Sequence, residues 1–309
     1  MISTDVKLSN GGYVAEFRSD IGGNCYRLYH EKTGAEILRT PDDEKHLFSQ
    51  VFLFGNAILF PPNRIRGGEF EFNGKKYEFP INEPATGSHL HGALYKQPFE
   101  IVSQTSEKVE FLYTAKSGEY LGFPHAFRIL RTYFLDESGL TESVKVFNDS
   151  EEIMPFMLAF HTTFNIPFAP GACEENCYMK VAVGKEHLRD ENYLPTLEYA
   201  SGREREAQLN SGSYQISQGA LSAFYDNFDL KSEIIDTDSG LKIVYEGSED
   251  YKYRMLWVKK DGNLAVIEPQ TCAIDCFHLE ESAEAKGLIT IAPNESKELI
   301  TKFSITTNK

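Results

Sequence analysis

A chain of 309 residues with 41% hydrophobic side chains can bury a substantial core, as one large domain or two ordinary ones. Its formal charge of −15 repels nucleic acid and anionic membrane surfaces, so neither is expected as a main partner. Five cysteines, an odd number, do not suit a disulfide framework, and the start MISTDVKLSNGGYVAEF lacks the basic and apolar regions of a secretory signal. A reducing cytoplasm is the expected location.

The first strongly apolar stretch, VFLFGNAILFPP (51–62), is interrupted by Gly55-Asn56 and is too short to span a bilayer. FEFNGKKYEF (70–79) alternates apolar and polar residues around Asn73-Gly74, which predicts a β-hairpin. FRILRTYFL (127–135) and LTESVKVFN (140–148) predict a second hairpin around the polar turn 136–139. MPFMLAF (154–160) reads as a strand, and the charged stretch 184–210 as exposed loop or short helix. Later strand candidates are LKIVYEG (241–247), YRMLWVKK (253–260), LAVIEP (264–269), GLITIAP (287–293) and ELITKFSITT (298–307), rich in β-branched and aromatic residues.

Convincing amphipathic helices are scarce, no Gly/Ser/Pro-rich linker divides the chain, and no repeat is evident. The predicted fold class is all-β: one large antiparallel β-sandwich over residues 1–309, its loops and concave face carrying the site. A two-domain arrangement has no boundary to recommend it, and no segment specifies an oligomeric state.

Four polar islands interrupt this pattern. In Asn63-Arg64-Ile65-Arg66-Gly67-Gly68, two guanidinium groups beside glycines can aim fixed donors at ligand oxygens, or simply be solvated near a turn. In Ser88-His89-Leu90-His91-Gly92, histidines two apart share a face if the segment is extended, a geometry usable by a metal or for hydrogen bonding. No third ligand appears at a recognisable spacing, so no metal is expected there. His161 sits alone in the apolar run MPFMLAFHTTFNIPF, where a hydrogen-bonded core imidazole is the ordinary outcome. Glu268 ends the apolar run Val266-Ile267, where burial would raise its pKa and a nearby cation would lower it. The pairs Cys173/Cys177 and Cys272/Cys276 lack the tight spacing of zinc ribbons, and a structural role is equally open to them.

Taken together, N-R-I-x-G-G (63–68), L-H-G (90–92), P-F-x-x-x-F-H-x-x-F-N (155–165) and I-E-P-Q (267–270) resemble, in order and spacing, the aldose 1-epimerase (galactose mutarotase) family. The likeness runs from about Gly55 to the C-terminal strands. It implies a β-supersandwich fold and interconversion of the α and β anomers of a sugar through its open-chain aldehyde. That chemistry needs a base for the anomeric hydroxyl and an acid for the ring oxygen, and no metal, nucleotide or other cofactor.

By this resemblance Glu268 is the general base, His161 the acid and His91 a second active-site histidine. Arg64, with Asn63 beside it, binds sugar hydroxyls, and Asp226 in Phe224-Tyr225-Asp226-Asn227-Phe228 is the nearest counterpart of a hydroxyl-gripping aspartate. Trp257 and Phe164 are candidates to stack on the sugar, with core packing as their alternative.

Leu90-His91-Gly92-Ala93 and His161-Thr162-Thr163-Phe164-Asn165 depart from the archetypal L-H-G-G and H-x-Y-F-N. The short segment Tyr225-Asp226-Asn227-Phe228 and the piece Phe123-Pro124-His125-Ala126-Phe127 are more similar to a divergent bacterial branch that includes hexose-6-phosphate epimerases. The Thr162-Thr163 pair is therefore where substrate preference is expected to differ. A phosphorylated substrate would need cations such as Arg66, Lys75 and Lys96. A non-catalytic carbohydrate-binding protein on the same scaffold is the remaining alternative.

Overall fold

The computed structural model describes residues 2–259, 263–283 and 285–307. Its main element is a 14-stranded antiparallel sheet. Along its main path lie Glu100–Gln104, Lys108–Ala115, Phe127–Asp136, Gly139–Asn148, Ser296–Thr307, Leu241–Gly247, Leu221–Asp236, Tyr253–Val258, Leu264–Gln270, Ala159–Asn165 and Asn56–Leu59. Cys177–Arg189 branches from Leu221–Asp236 and carries Pro195–Ala200 on its far edge. A four-stranded sheet, Val6–Asn10 to Ala35–Glu36, packs on this layer through rings such as Phe17, which meets Phe111 and Tyr133. A cluster of buried apolar side chains runs from Val6 to Phe303. The fold is thus the expected large antiparallel β-sandwich.

Both predicted hairpins form. Glu69–Phe72 pairs with Lys75–Glu78 across Asn73 and Gly74, whose φ angles of 50° and 73° supply the left-handed turn. Phe127–Asp136 pairs with Gly139–Asn148 through ten residue pairs.

Other elements differ from the sequence pattern. Residues 154–160 are not one strand: Met154–Phe156 pairs with Ile289–Ile291, the chain breaks at 157–158, and Ala159–Asn165 enters the large sheet. The tryptophan strand ends at Val258, and Lys260 of the predicted strand lies outside the described residues.

The stretch 184–210 is largely ordered sheet and helix rather than loop: it holds the end of Cys177–Arg189, then Pro195–Ala200 and helix Glu204–Ser211. Its charges hid this because the strand Cys177–Arg189 takes one of them inside: Glu186 is buried and paired with Arg203 and Arg205.

Candidate active site

The acid and base candidates form a cross-strand pair. Ala159 pairs with Gln270 and Thr162 with Ile267, which sets His161 opposite Glu268 on adjacent strands. Facing residues in a sheet project to one side, and on this side Met255 pairs with Glu268 while Ser222 pairs with Trp257. The result is one concave face presenting His161, Glu268, Met255, Trp257 and Ser222 to a cavity of about 430 Å³. That volume suits a monosaccharide-sized ligand.

His161 and Glu268 are 4% and 3% exposed, with His161 Nε2 3.8 Å from Glu268 Oε1. The separation is too long for a direct hydrogen bond. His161 Nδ1 lies 3.3 Å from Thr163 Oγ1, which leaves Nε2 as the nitrogen directed at Glu268. Glu268 Oε2 is buried with no hydrogen-bond partner among the described residues.

Burial dominates both acidities. It pushes Glu268 up to about 8 against the attraction of Arg189 and Arg64, and it pulls His161 down to about 3. Both shifts favour the uncharged pair near neutral pH, with its one exchangeable proton on Glu268.

His91 stands beside them, its ring 5.8 Å from that of His161. Burial, then the neighbouring His161 and Arg64, hold it well below its ordinary value, so it is neutral. The Asn63 N–H donates to His91 Nδ1 at 3.2 Å, so the ring proton must sit on Nε2, available as a donor. The His91 N–H returns a bond to the Asn63 carbonyl at 2.9 Å. Both residues have left-handed φ, 62° and 54°. Gly92 must be glycine: with φ 62°, a Cβ there would lie 1.9 Å from the Phe60 carbonyl oxygen. The same turn separates the two histidines of 88–92. His89 points away, its Nδ1 2.7 Å from the Pro80 carbonyl, so the pair does not converge on a metal. Among the described residues no group of three or more His, Cys, Asp or Glu is arranged to hold one.

Arg64, Asn63 and Trp257 line the cavity as the sequence suggested. Phe164 does not: it is fully buried on the opposite face against Tyr245 and Phe303, because alternate residues of a strand face opposite sides. Asp226 is not among the lining residues either. It lies on the same side of its strand as Ser222 but four residues along, and its Oδ1 is 2.7 Å from His187 Nε2.

Thr162 turns inward and donates to Asn56 or Tyr245, while Thr163 buttresses His161, so neither threonine lines the cavity. Of the cations considered for a phosphate, Arg66 pairs with Asp275, Lys75 with Glu152, and Lys96 lies over the Tyr95 ring; none lines the cavity.

Sequence reasoning missed Glu83, Arg189, Tyr193 and Phe52. Glu83 accepts from Arg64 Nε and Nη2, each at 2.7 Å. Arg189 ends its strand with Nη2 donating to the Ser222 carbonyl at 2.7 Å and hydroxyl at 3.1 Å. Tyr193 stacks on the Arg64 guanidinium at 4.5 Å. The Phe52 ring meets His161 edge-on at 5.1 Å and forms an apolar wall. In sequence, Arg189 was concealed by the misread charged stretch; Glu83 and Tyr193 are in loops with no periodic signal.

The fold and cavity define a sheet-borne sugar-sized site built on a buried carboxylate–imidazole pair. A family model described as aldose 1-epimerase matches residues 4–304, and the chain belongs to that family. A galactose mutarotase-like protein of Clostridium acetobutylicum, known from a crystal structure, superposes with a TM-score of 0.92 at 29% identity, covering 97% of this chain and 94% of that one. The structure of a putative aldose 1-epimerase of Escherichia coli K12 shares the fold, with a TM-score of 0.81 at 20% identity over 97% and 98% of the two chains. In sequence, rat galactose mutarotase is 31% identical over 140 residues, 44% of this chain and 38% of the rat protein. The uncharacterized protein YphB of Escherichia coli K12 is 23% identical over 78% of this chain and 81% of its own length.

Proposed function

We propose that the protein catalyses 1-epimerisation of a free hexose of the galactose or glucose type, with Glu268 as general base and His161 as general acid. The observation that carries this reading is the unpartnered Glu268 Oε2, an acceptor held in a sugar-sized cavity directly across from His161 Nε2.

Ring opening needs Glu268 ionised and His161 protonated, the reverse of the arrangement that burial favours, yet with the same single proton. A bound sugar favours the swap. Its anomeric hydroxyl donates to Glu268 and its ring oxygen accepts from His161 Nε2, and each bond stabilises the charged form. Glu268 then takes the hydroxyl proton, the C1–O5 bond breaks as C1=O1 forms, and His161 gives its proton to O5. Rotation about C1–C2 exposes the other aldehyde face, and closure returns both protons. His91 Nε2–H supplies a neutral donor to a sugar oxygen, and Trp257 a face for its C–H groups. Five free thiols are consistent with a cytoplasmic setting.

Polarimetry on freshly dissolved α-galactose and α-glucose tests the reading. Glu268→Gln and His161→Asn should each lower the catalysed rate by about 10²- to 10⁴-fold while the far-UV circular dichroism is unchanged. Wild-type rates in either variant would refute the assignment. Saturable sugar binding with no acceleration by the wild type would instead make this a carbohydrate-binding member of the fold.

A further inference from the structure

Among the described residues two carboxylates line the cavity, and the acid–base scheme uses only Glu268. Glu83 is the other. Its backbone is bridged to Ser88, and its side chain is held by the Arg64 fork and by Thr86 Oγ1, which donates to Oε2. Burial pushes its carboxyl up, but the Arg64 and Thr86 hydrogen bonds outweigh this and keep it below its ordinary value, hence ionised. Arg64 commits Nε and one N–H of Nη2 to the fork, and neither the second Nη2 N–H nor Nη1 has a further hydrogen-bond partner among the described residues. Its plane is fixed between Glu83 and the Tyr193 ring.

The fork therefore offers two complementary edges: the Nη1–Nη2 end of the guanidinium, whose free donors include the second N–H of Nη2 beside the carboxylate, and the remaining lone pairs of the ionised carboxylate. A hydroxyl both donates and accepts, whereas a carboxylate only accepts and a guanidinium only donates. Two adjacent hydroxyls satisfy both edges at once, one donating to Glu83 and its neighbour accepting from Arg64. Because Glu83 already balances the Arg64 charge, an anionic group approaching this end meets repulsion as well as attraction.

We propose that the Arg64–Glu83 fork reads a vicinal diol of an uncharged aldose, with Glu83, rather than Asp226, as the specificity-determining carboxylate. The choice of an aldose as ligand rests on the 1-epimerase reading above. The Asp226 carboxylate is engaged by His187 outside the cavity.

Equilibrium binding by calorimetry tests the fork independently of turnover. The probes are galactose, glucose, their 2-, 3- and 4-deoxy analogues and glucose 6-phosphate. Glu83→Gln keeps the shape and removes the charge. It should weaken binding of the preferred hexose about 10- to 100-fold, the loss expected for a hydrogen bond to a charged group. In polarimetry the same change should raise KM and leave kcat within a few-fold. Asp226→Asn should change both by less than twofold. One deoxy analogue should lose as much affinity for the wild type as Glu83→Gln does, and should lose no more in the variant; this measurement on the wild type needs no substitution to fold.

Unchanged affinity in Glu83→Gln, a larger loss in Asp226→Asn, or tighter binding of glucose 6-phosphate than of glucose would each overturn the fork. Glu83-dependent binding without accelerated mutarotation would overturn the epimerase reading alone. A wild type that binds none of the sugars would overturn both.

Discussion

Glu268→Gln should leave the protein inactive yet more stable, by a margin that grows with pH. Burial moves the Glu268 carboxyl from 4.5 to about 8. In the unfolded chain that carboxyl loses its proton near its ordinary value, while in the folded chain it keeps it until about pH 8. Between those limits unfolding releases a proton, so stability falls as pH rises, beginning near the unfolded value and ending above the folded one. At about 1.4 kcal/mol per pH unit the ceiling is ~5 kcal/mol. Relaxation and water entry in a cavity open to solvent bring the expected figure to about 2–3 kcal/mol, since real sites screen better than a dry interior.

Glutamine has the same shape and no charge. Urea denaturation at pH 5, 7 and 9 should therefore show variant and wild type nearly equal at pH 5 and the variant ahead by about 2–3 kcal/mol at pH 9. The opposite slope from His161, whose folded value of about 3 makes stability rise with pH up to its unfolded range, is common to both proteins and cancels. A difference that stays constant with pH would show that Glu268 is ionised in the folded protein without sugar, and would refute the proton order on which the proposed mechanism rests.

In the proposed scheme the pair works with one proton, so kcat/KM should hold between pH 4 and 7 and fall above about 8 and below about 3, measured by polarimetry with buffer catalysis subtracted. Arg189 lowers the Glu268 value, so Arg189→Met should move the alkaline limb to higher pH by about one unit, and an unmoved limb would remove Arg189 from that role. Phe164→Ala should cost about 3–5 kcal/mol in thermal or urea unfolding and leave KM within twofold under native conditions; a KM defect without lost stability would put Phe164 against the sugar after all.

Strand content was legible because it lies in local alternation: the 70–79 and 127–148 hairpins carry both their turns and their faces in contiguous sequence. The site was legible only in part. His161 and Glu268 are 107 positions apart, and neither is distinguishable from a quiet core or strand-end residue until the two strands are paired. The ordered motifs of a family made that link, because they carry long-range information that periodicity lacks. The same motifs pointed to Asp226, which does not line the cavity. Asp226 does face the concave side of the sheet, but strand pairing carries it past the cavity to His187, a displacement no local motif encodes.

Register also explains what Thr162 does in place of shaping the substrate site. A slip by one residue between Ala159–Asn165 and Leu264–Gln270 would turn His161 into the core and bring Thr162 to the cavity. On the inward face Thr162 is bonded to Asn56 and Tyr245. Asn56 in turn donates to Glu142, and Glu142 accepts from Arg131, all of them fully or nearly fully buried. Moving Thr162 outward would leave those buried polar groups short of a partner at about 1–3 kcal/mol each, while an imidazole turned inward would meet a space shaped for a hydroxyl. The polar cluster behind the strand therefore holds the register that sets His161 opposite Glu268. The apolar run around His161 is a fixed platform because of the threonine that follows it, on the face turned away from the cavity.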